Sequence, residues 1–125
     1  MFYYPLSCRF DASGTTADSA VFALHERVEV LGAYVIVNAN VVANGTNYAT
    51  VQVLGNDQST AIYLRDTSSD DLDADTPAEL ASENEQALAI FDAGEAIKVE
   101  LNKAGGSGVA FDGIVVLNCR QARKY

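Results

Sequence analysis

The sequence predicts an all-β domain, an antiparallel β-sandwich or barrel of seven to eight strands. Three observations predict it. Apolar and polar residues alternate at a period of two along most of the chain, the pattern of strands with one buried and one wet face. Turn-forming residues fall between these runs at short, regular intervals. No segment sustains the 3.6-residue period of an amphipathic helix. The chain has 125 residues, 49% of them hydrophobic, which suits one domain over 1–125 with a core of its own.

Taken in order, Phe2 to Phe10 and Ser19 to His25 read as the first two strands. Val28 to Val42 is Val-rich and continues past Gly32. Val35, Val37, Ala39 and Val41 share one face of it, and Tyr34, Asn38 and Asn40 share the other. Ile36 interrupts the polar face, so both sides of this strand are expected to be partly covered. Tyr48 to Leu54 places Val51 and Val53 on one face and Thr50 and Gln52 on the other. Ala61 to Asp66 is a shorter strand with Ile62 and Leu64 inward. Glu95 to Asn102 alternates most cleanly, with Ile97, Val99 and Leu101 opposite Lys98, Glu100 and Asn102. Val109 to Gln121 is apolar through Ile114, Val115, Val116 and Leu117 and reads as a central strand, bent at Gly113. Between these runs lie Asn44-Gly45, expected to make a tight hairpin turn with positive φ, then Gly55-Asn-Asp-Gln58, Asp92-Ala-Gly-Glu95 and a flexible Gly105-Gly-Ser-Gly108.

The segment 66–85 departs from this pattern. It holds eight acidic residues (Asp66, Asp70, Asp71, Asp73, Asp75, Glu79, Glu83 and Glu85) and no basic one. Thr76-Pro-Ala-Glu79 carries the signature of a helix start, with Thr as cap, Pro at the first position and Glu three residues on. A long acidic surface loop with a short helix is therefore expected. Loops of that length in a compact domain are often functional.

Charge and composition narrow the function classes. The net charge of −9 repels nucleic-acid phosphates and anionic lipid surfaces. No apolar run approaches the ~18 residues of a membrane span. The opening Met-Phe-Tyr-Tyr-Pro has no basic region ahead of an apolar one, so no export signal is expected. Partners of nucleic-acid or membrane type are thus not expected.

Chemical motifs are few. Asp71, Asp73 and Asp75 match the first three ligand positions of a calcium loop, but position six is Thr76 instead of Gly and position twelve is Ser82 instead of Glu. They are weak metal candidates. His25 is the only histidine, so any Ser-His-Asp or Cys-His device must use it. Cys8 and Cys119 are the only cysteines, near opposite ends of the chain. They read as two buried thiols, or as a disulfide if the terminal strands are neighbours. The Gly-rich turn lacks the Lys-Ser/Thr ending of a phosphate loop. No catalytic residue, enzymatic activity or cofactor is expected.

The two ends carry the candidate contact residues. Phe2, Tyr3 and Tyr4 form an aromatic cluster, read equally as interface anchors or as core. Arg120, Arg123 and Lys124 form a basic tail on an acidic domain. Such a tail docks to an acidic neighbour or a second copy, or simply lies in solvent.

Leu31 to Thr46, a long strand followed by Asn-Gly-Thr, resembles a feature of small phage head proteins. Phe91-Asp-Ala-Gly-Glu-Ala-Ile-Lys-Val-Glu-Leu101, a Gly-rich turn and Val109 to Leu117 are similar to the closing hairpin of jelly-roll decoration proteins. The resemblance, to small phage capsid decoration (cement) proteins of jelly-roll type, covers Val28 to Gln121. It implies a jelly-roll-like sandwich that binds the major capsid protein as a homotrimer. It implies a place on the outer capsid surface of the virion, after assembly in the host cytoplasm. Two alternatives stand beside it: a carbohydrate- or receptor-binding sandwich, and a tail or baseplate component.

Overall fold

The computed structural model describes residues 3–84 and 86–122. Phe2, Glu85, Arg123 and Lys124 lie outside the described residues. Among those described, ten strands run in chain order: β1 (Tyr3–Ala12), β2 (Asp18–Ala23), β3 (Val28–Val37), β4 (Tyr48–Leu54), β5 (Ala61–Asp66), β6 (Ala78–Glu79), β7 (Ala81–Ser82), β8 (Ile90–Phe91), β9 (Ala96–Ala104) and β10 (Phe111–Gln121). Seven are the expected strands, β4 and β5 with the expected ends and the other five with shifted ones. The other three, β6 to β8, are two residues long and raise the number above the expected seven to eight.

The strands form two antiparallel sheets. Sheet A has the order β1-β10-β3-β6, with β8 also on β3; sheet B has the order β2-β9-β4-β5-β7. The connectivity is that of a long hairpin folded at residues 55–60 and then rolled up. β4 pairs with β5, β3 with β6 and β8, β2 with β9, and β1 with β10. Rolling sets β10 against β3 and β9 against β4. This is jelly-roll topology, which closes most of the sheet edge within the domain. Of the edges that remain, β2 is short, β6 and β7 are shorter, and β1 carries Pro5, a residue that discourages further strand pairing.

The core lies between the sheets. Phe10, Val35, Val115 and Leu117 of sheet A face Val51, Val53, Val99 and Leu101 of sheet B, all buried. The Tyr63 hydroxyl crosses the core and donates to the Val30 carbonyl at 3.1 Å. Tyr63 thereby takes the inward position expected of Leu64. In the β4–β5 register Tyr63 lies opposite buried Val53, while Leu64 lies opposite Gln52 on the outer face.

The acidic segment is not a free loop. Val41 and Leu72 exchange both backbone hydrogen bonds at 2.8 Å, and the Asp75 amide donates to the Val37 carbonyl at 2.8 Å. Leu72 and Leu80 enter the core. The helix expected at Thr76–Glu79 does not form. Ala78 and Glu79 pair with Val35 and Tyr34 as β6, and the Leu80 amide donates to the Ala33 carbonyl. Sheet pairing here overrides a local capping signal. The short helical turn is a 3-10 turn at Gln86–Ala89.

Two turn expectations also change. Neither Asn44 nor Gly45 has positive φ. β3 and β4 lie in different sheets, so the segment between them crosses the sandwich and makes no hairpin. Asn44 Oδ1 instead accepts from the Thr46 and Asn47 amides, the local turn that this side chain favours. Gly113 pairs regularly with Val37, and the irregularity in β10–β3 falls at Asn118/Cys119.

The register settles the cysteines. Cys8 lies opposite Val115 and Cys119 opposite Tyr4, so the two are four residues apart along one ladder. That is about 13 Å of strand, beyond the reach of a disulfide. Both thiols are free. Burial pushes each up to about 11 from an ordinary value of 9.0. Unfolded thiols therefore ionise first as pH rises, and the thiol contribution to stability is full below about pH 9 and lost towards about pH 11. Urea unfolding midpoints are expected to fall across that window, and to fall less when both cysteines are alanine. A flat midpoint in the parent would contradict the burial of the thiols.

Candidate docking surface

The outer faces of the two sheets differ in character. On sheet B the exposed rows are mixed: Lys98 pairs with Glu100 at 3.5 Å, and Gln52 donates to Glu100 at 2.7 Å. Val21, on the edge strand β2, is an exposed apolar residue there, and Tyr48 and Leu64 are half-buried on the same face. On sheet A the outward positions of three adjacent strands place apolar residues side by side. Ile114 lies between Arg9 and Ile36, and Val116 lies between Ser7 and Tyr34. The next row holds Pro5, Asn118 and Gly32, and the one beyond it holds Tyr3, Arg120 and Glu29.

A β-bulge adds to this surface. Val30 pairs with Cys119 and Gly32 with Asn118, leaving Leu31 as an extra residue on β3. Bulges re-aim side chains, and here Leu31 is turned outward, 40% exposed, with Tyr3 at 67% and Ile114 at 38%. Leu31 stands between two hollows. One, of about 370 Å³, is shared with Tyr3, Pro5 and Tyr34; the other, of about 580 Å³, is shared with Tyr34, Arg65 and Glu79. The result is a ridge with a dip on either side, and Tyr34 lines both.

The cations at the two ends of this face are paired within the chain. Arg9 Nη2 lies 3.0 Å from Asp112 Oδ1. Arg120 Nε donates to Glu29 Oε1 at 2.7 Å, and its Nη2 contacts the same oxygen. Gln86 Nε2 donates to Glu29 Oε2 at 2.5 Å. Glu29, only 7% exposed, is thus a covered carboxylate held by a guanidinium and an amide.

Of the residues singled out in the sequence, Tyr3 lies on the outer face and Arg120 holds Glu29. Tyr4 turns to the inner side of β1 and is half-buried. Its phenol is raised above its ordinary value by burial first and then by Glu26. Phe2, Arg123 and Lys124 fall outside the described residues. Asp71, Asp73 and Asp75 alternate with buried Leu72 and half-buried Ala74 and project outward. Asp71 Oδ1 accepts from the Ala43 amide at 2.6 Å. No group of three or more metal-ligating side chains forms among the described residues. His25 is exposed in the β2–β3 connection, on the rim of a hollow of about 530 Å³ shared with Tyr4 and Glu26. Sequence reading missed Leu31 and Ile114. Its available signals were Ile36 on a polar face and the unbroken run Ile114 to Leu117.

No protein-family model matches the chain. No curated protein matches it either. Among solved structures, a chain in the structure of the infectious bursal disease virus Gx strain aligns with 99% of this chain at 12% identity and a TM-score of 0.43. The aligned region is 33% of that viral chain, so the protein spans about a third of its length. A likeness at this level decides nothing about function.

Proposed function

We propose that this protein is a structural component of a phage particle, a capsid decoration (cement) protein that acts by contact and performs no catalysis. It binds the major capsid protein on the outer head shell as a homotrimer and stabilises the shell after assembly in the host cytoplasm. The observation that carries this reading is the outer face of sheet A, an apolar surface on a rigid sheet with the cations at its two ends already paired. Contiguous exposed apolar surface of this kind marks interaction sites, and aromatic side chains such as Tyr3 and Tyr34 are typical anchors. The jelly-roll topology and the resemblance of Leu31–Thr46 and Phe91–Leu101 to decoration proteins support the same reading. A trimer multiplies modest contacts through effective concentration, because each docked copy holds the others near the shell.

Cryo-microscopy of purified particles of the encoding phage tests it. Expected is a jelly-roll density on the outer shell, in groups of three. A shell fully resolved and bare of that density would remove the reading.

A further inference from the structure

We propose that the occupant of the sheet A face is a basic protein surface: an apolar strip that receives Leu31, Tyr34 and Ile114, bordered by lysine or arginine side chains on the β6 side. This rests on reading that face as the docking surface. The row Ser7, Val116, Tyr34 ends on β6 at Glu79, which pairs with Tyr34 and is exposed. From Glu79 the surface continues into a hollow of about 290 Å³ bordered by Asp66, Asp70 and Glu83. Arg65 is the cation that lines this hollow. Its guanidinium is turned to the backbone carbonyls of Glu79 and Asp71, at 3.4 and 3.2 Å. Four carboxylates against one guanidinium leave the hollow negative.

Among the described residues, the other borders of the face offer no unpaired cation to match it. Arg9 is shared between Asp112 and Asp11, and Arg120 is held by Glu29. The uncompensated charge among the described residues is therefore acidic, with a lone surplus carboxylate where Asp11 and Asp112 share Arg9 and the larger surplus on the β6 side. A second copy makes a poor occupant, because it brings the same acidic border and a net charge of −9. Anionic lipid and nucleic acid meet the same repulsion. A surface with an apolar centre and cations on one flank complements both features and fixes the docking orientation.

Co-sedimentation with assembled head shells of the encoding phage, prepared without this protein, tests the inference. Three proteins are compared with the parent. One neutralises the acidic border (Asp70→Asn, Glu79→Gln, Glu83→Gln). One adds the same charge on the outer face of sheet B (Ser19→Lys, Ala23→Lys, Asn102→Lys). One carries Leu31→Glu. The neutralised variant is expected to bind about tenfold more weakly at low salt and to lose most of its salt dependence. The sheet B variant is expected to bind like the parent. Leu31→Glu is expected to bind about a hundredfold more weakly, since a carboxylate then enters an apolar contact unpaired. Circular dichroism confirms folding, and light scattering is expected to give the parent mass for all three.

Unchanged or tighter binding by the neutralised variant would overturn the basic partner and leave shell docking standing. Parent-like binding by Leu31→Glu would overturn the docking face. A drop to monomer in Leu31→Glu would overturn the inference by assigning the face to a second copy. Failure of the parent to sediment with shells would remove the decoration reading itself, and this inference with it.

Discussion

Replacing Leu72 with alanine is expected to cost about 2–5 kcal/mol of stability. Leu72 is 2% exposed and belongs to the core. It lies within a run of acids, Asp70-Asp71-Leu72-Asp73-Ala74-Asp75, whose neighbours face water. Removing its side chain leaves a void under that run. It also removes the anchor that keeps the Val41–Leu72 and Asp75–Val37 hydrogen bonds in register. The loss is therefore both global and local. Urea unfolding measures the first. Amide exchange at Val41, Leu72 and Asp75 measures the second, and is expected to accelerate well beyond exchange in β9 or β10. Asp73→Asn, an exposed change in the same run, is expected to stay within about 0.5 kcal/mol. A Leu72→Ala protein within about 1 kcal/mol of the parent would show that the acidic run is not anchored by the core.

Gly108→Ala is the second large effect, expected at about 2–4 kcal/mol from the combined cost of a left-handed backbone and an overpacked contact. Gly108 has φ of +59°, and a Cβ there would fall 2.1 Å from the Gly14 carbonyl oxygen. That oxygen already accepts from the Val109 amide and from Lys103 Nζ, each at 3.1 Å. The clash is with backbone, which has nowhere to move without breaking those bonds. Nearby, the Ser107 amide donates to Asn47 Oδ1 at 3.0 Å. The Gly-rich turn thus ties three loops together at one end of the sandwich. Gly106 supplies the internal control, since its Cβ would meet nothing within 4 Å and its φ is not positive. Gly106→Ala is expected to be neutral or stabilising by up to about 1 kcal/mol. Equal effects at 106 and 108 in thermal unfolding would contradict the clamp.

These two sites also mark where sequence reading stops. The seven long strands are legible because each buries one face, so alternation is written into the residues themselves, most plainly in Ile97, Val99 and Leu101. Strands of two residues have no periodicity to read. Leu72 is an isolated apolar residue among charges and Leu80 one among small and polar residues, and only the pairing of residues 72–80 with β3 and Val41 shows that they reach the core. The Thr76-Pro-Ala-Glu79 signal is a genuine local preference overruled by long-range pairing. The Gly105–Gly108 turn reads as flexible because its glycines are visible, whereas the backbone packed against Gly108 comes from residue 14. The docking face is half-legible. Ile36 and the run Ile114 to Leu117 signal strands covered on both sides. The bulge that exposes Leu31 depends on a one-residue mismatch between two chains of the ladder, which no single strand encodes. Arg120 likewise reads as a free cation until register sets it opposite Glu29.

Hydroxyl-radical footprinting of the protein free and bound to head shells asks most directly which face meets the particle. Oxidation of Tyr3, Leu31, Tyr34 and Ile114 should drop on binding, while Val21 and Tyr48 on the outer face of sheet B keep their free-state reactivity. Protection of Val21 and Tyr48 with Leu31 and Tyr34 left reactive would contradict docking through sheet A.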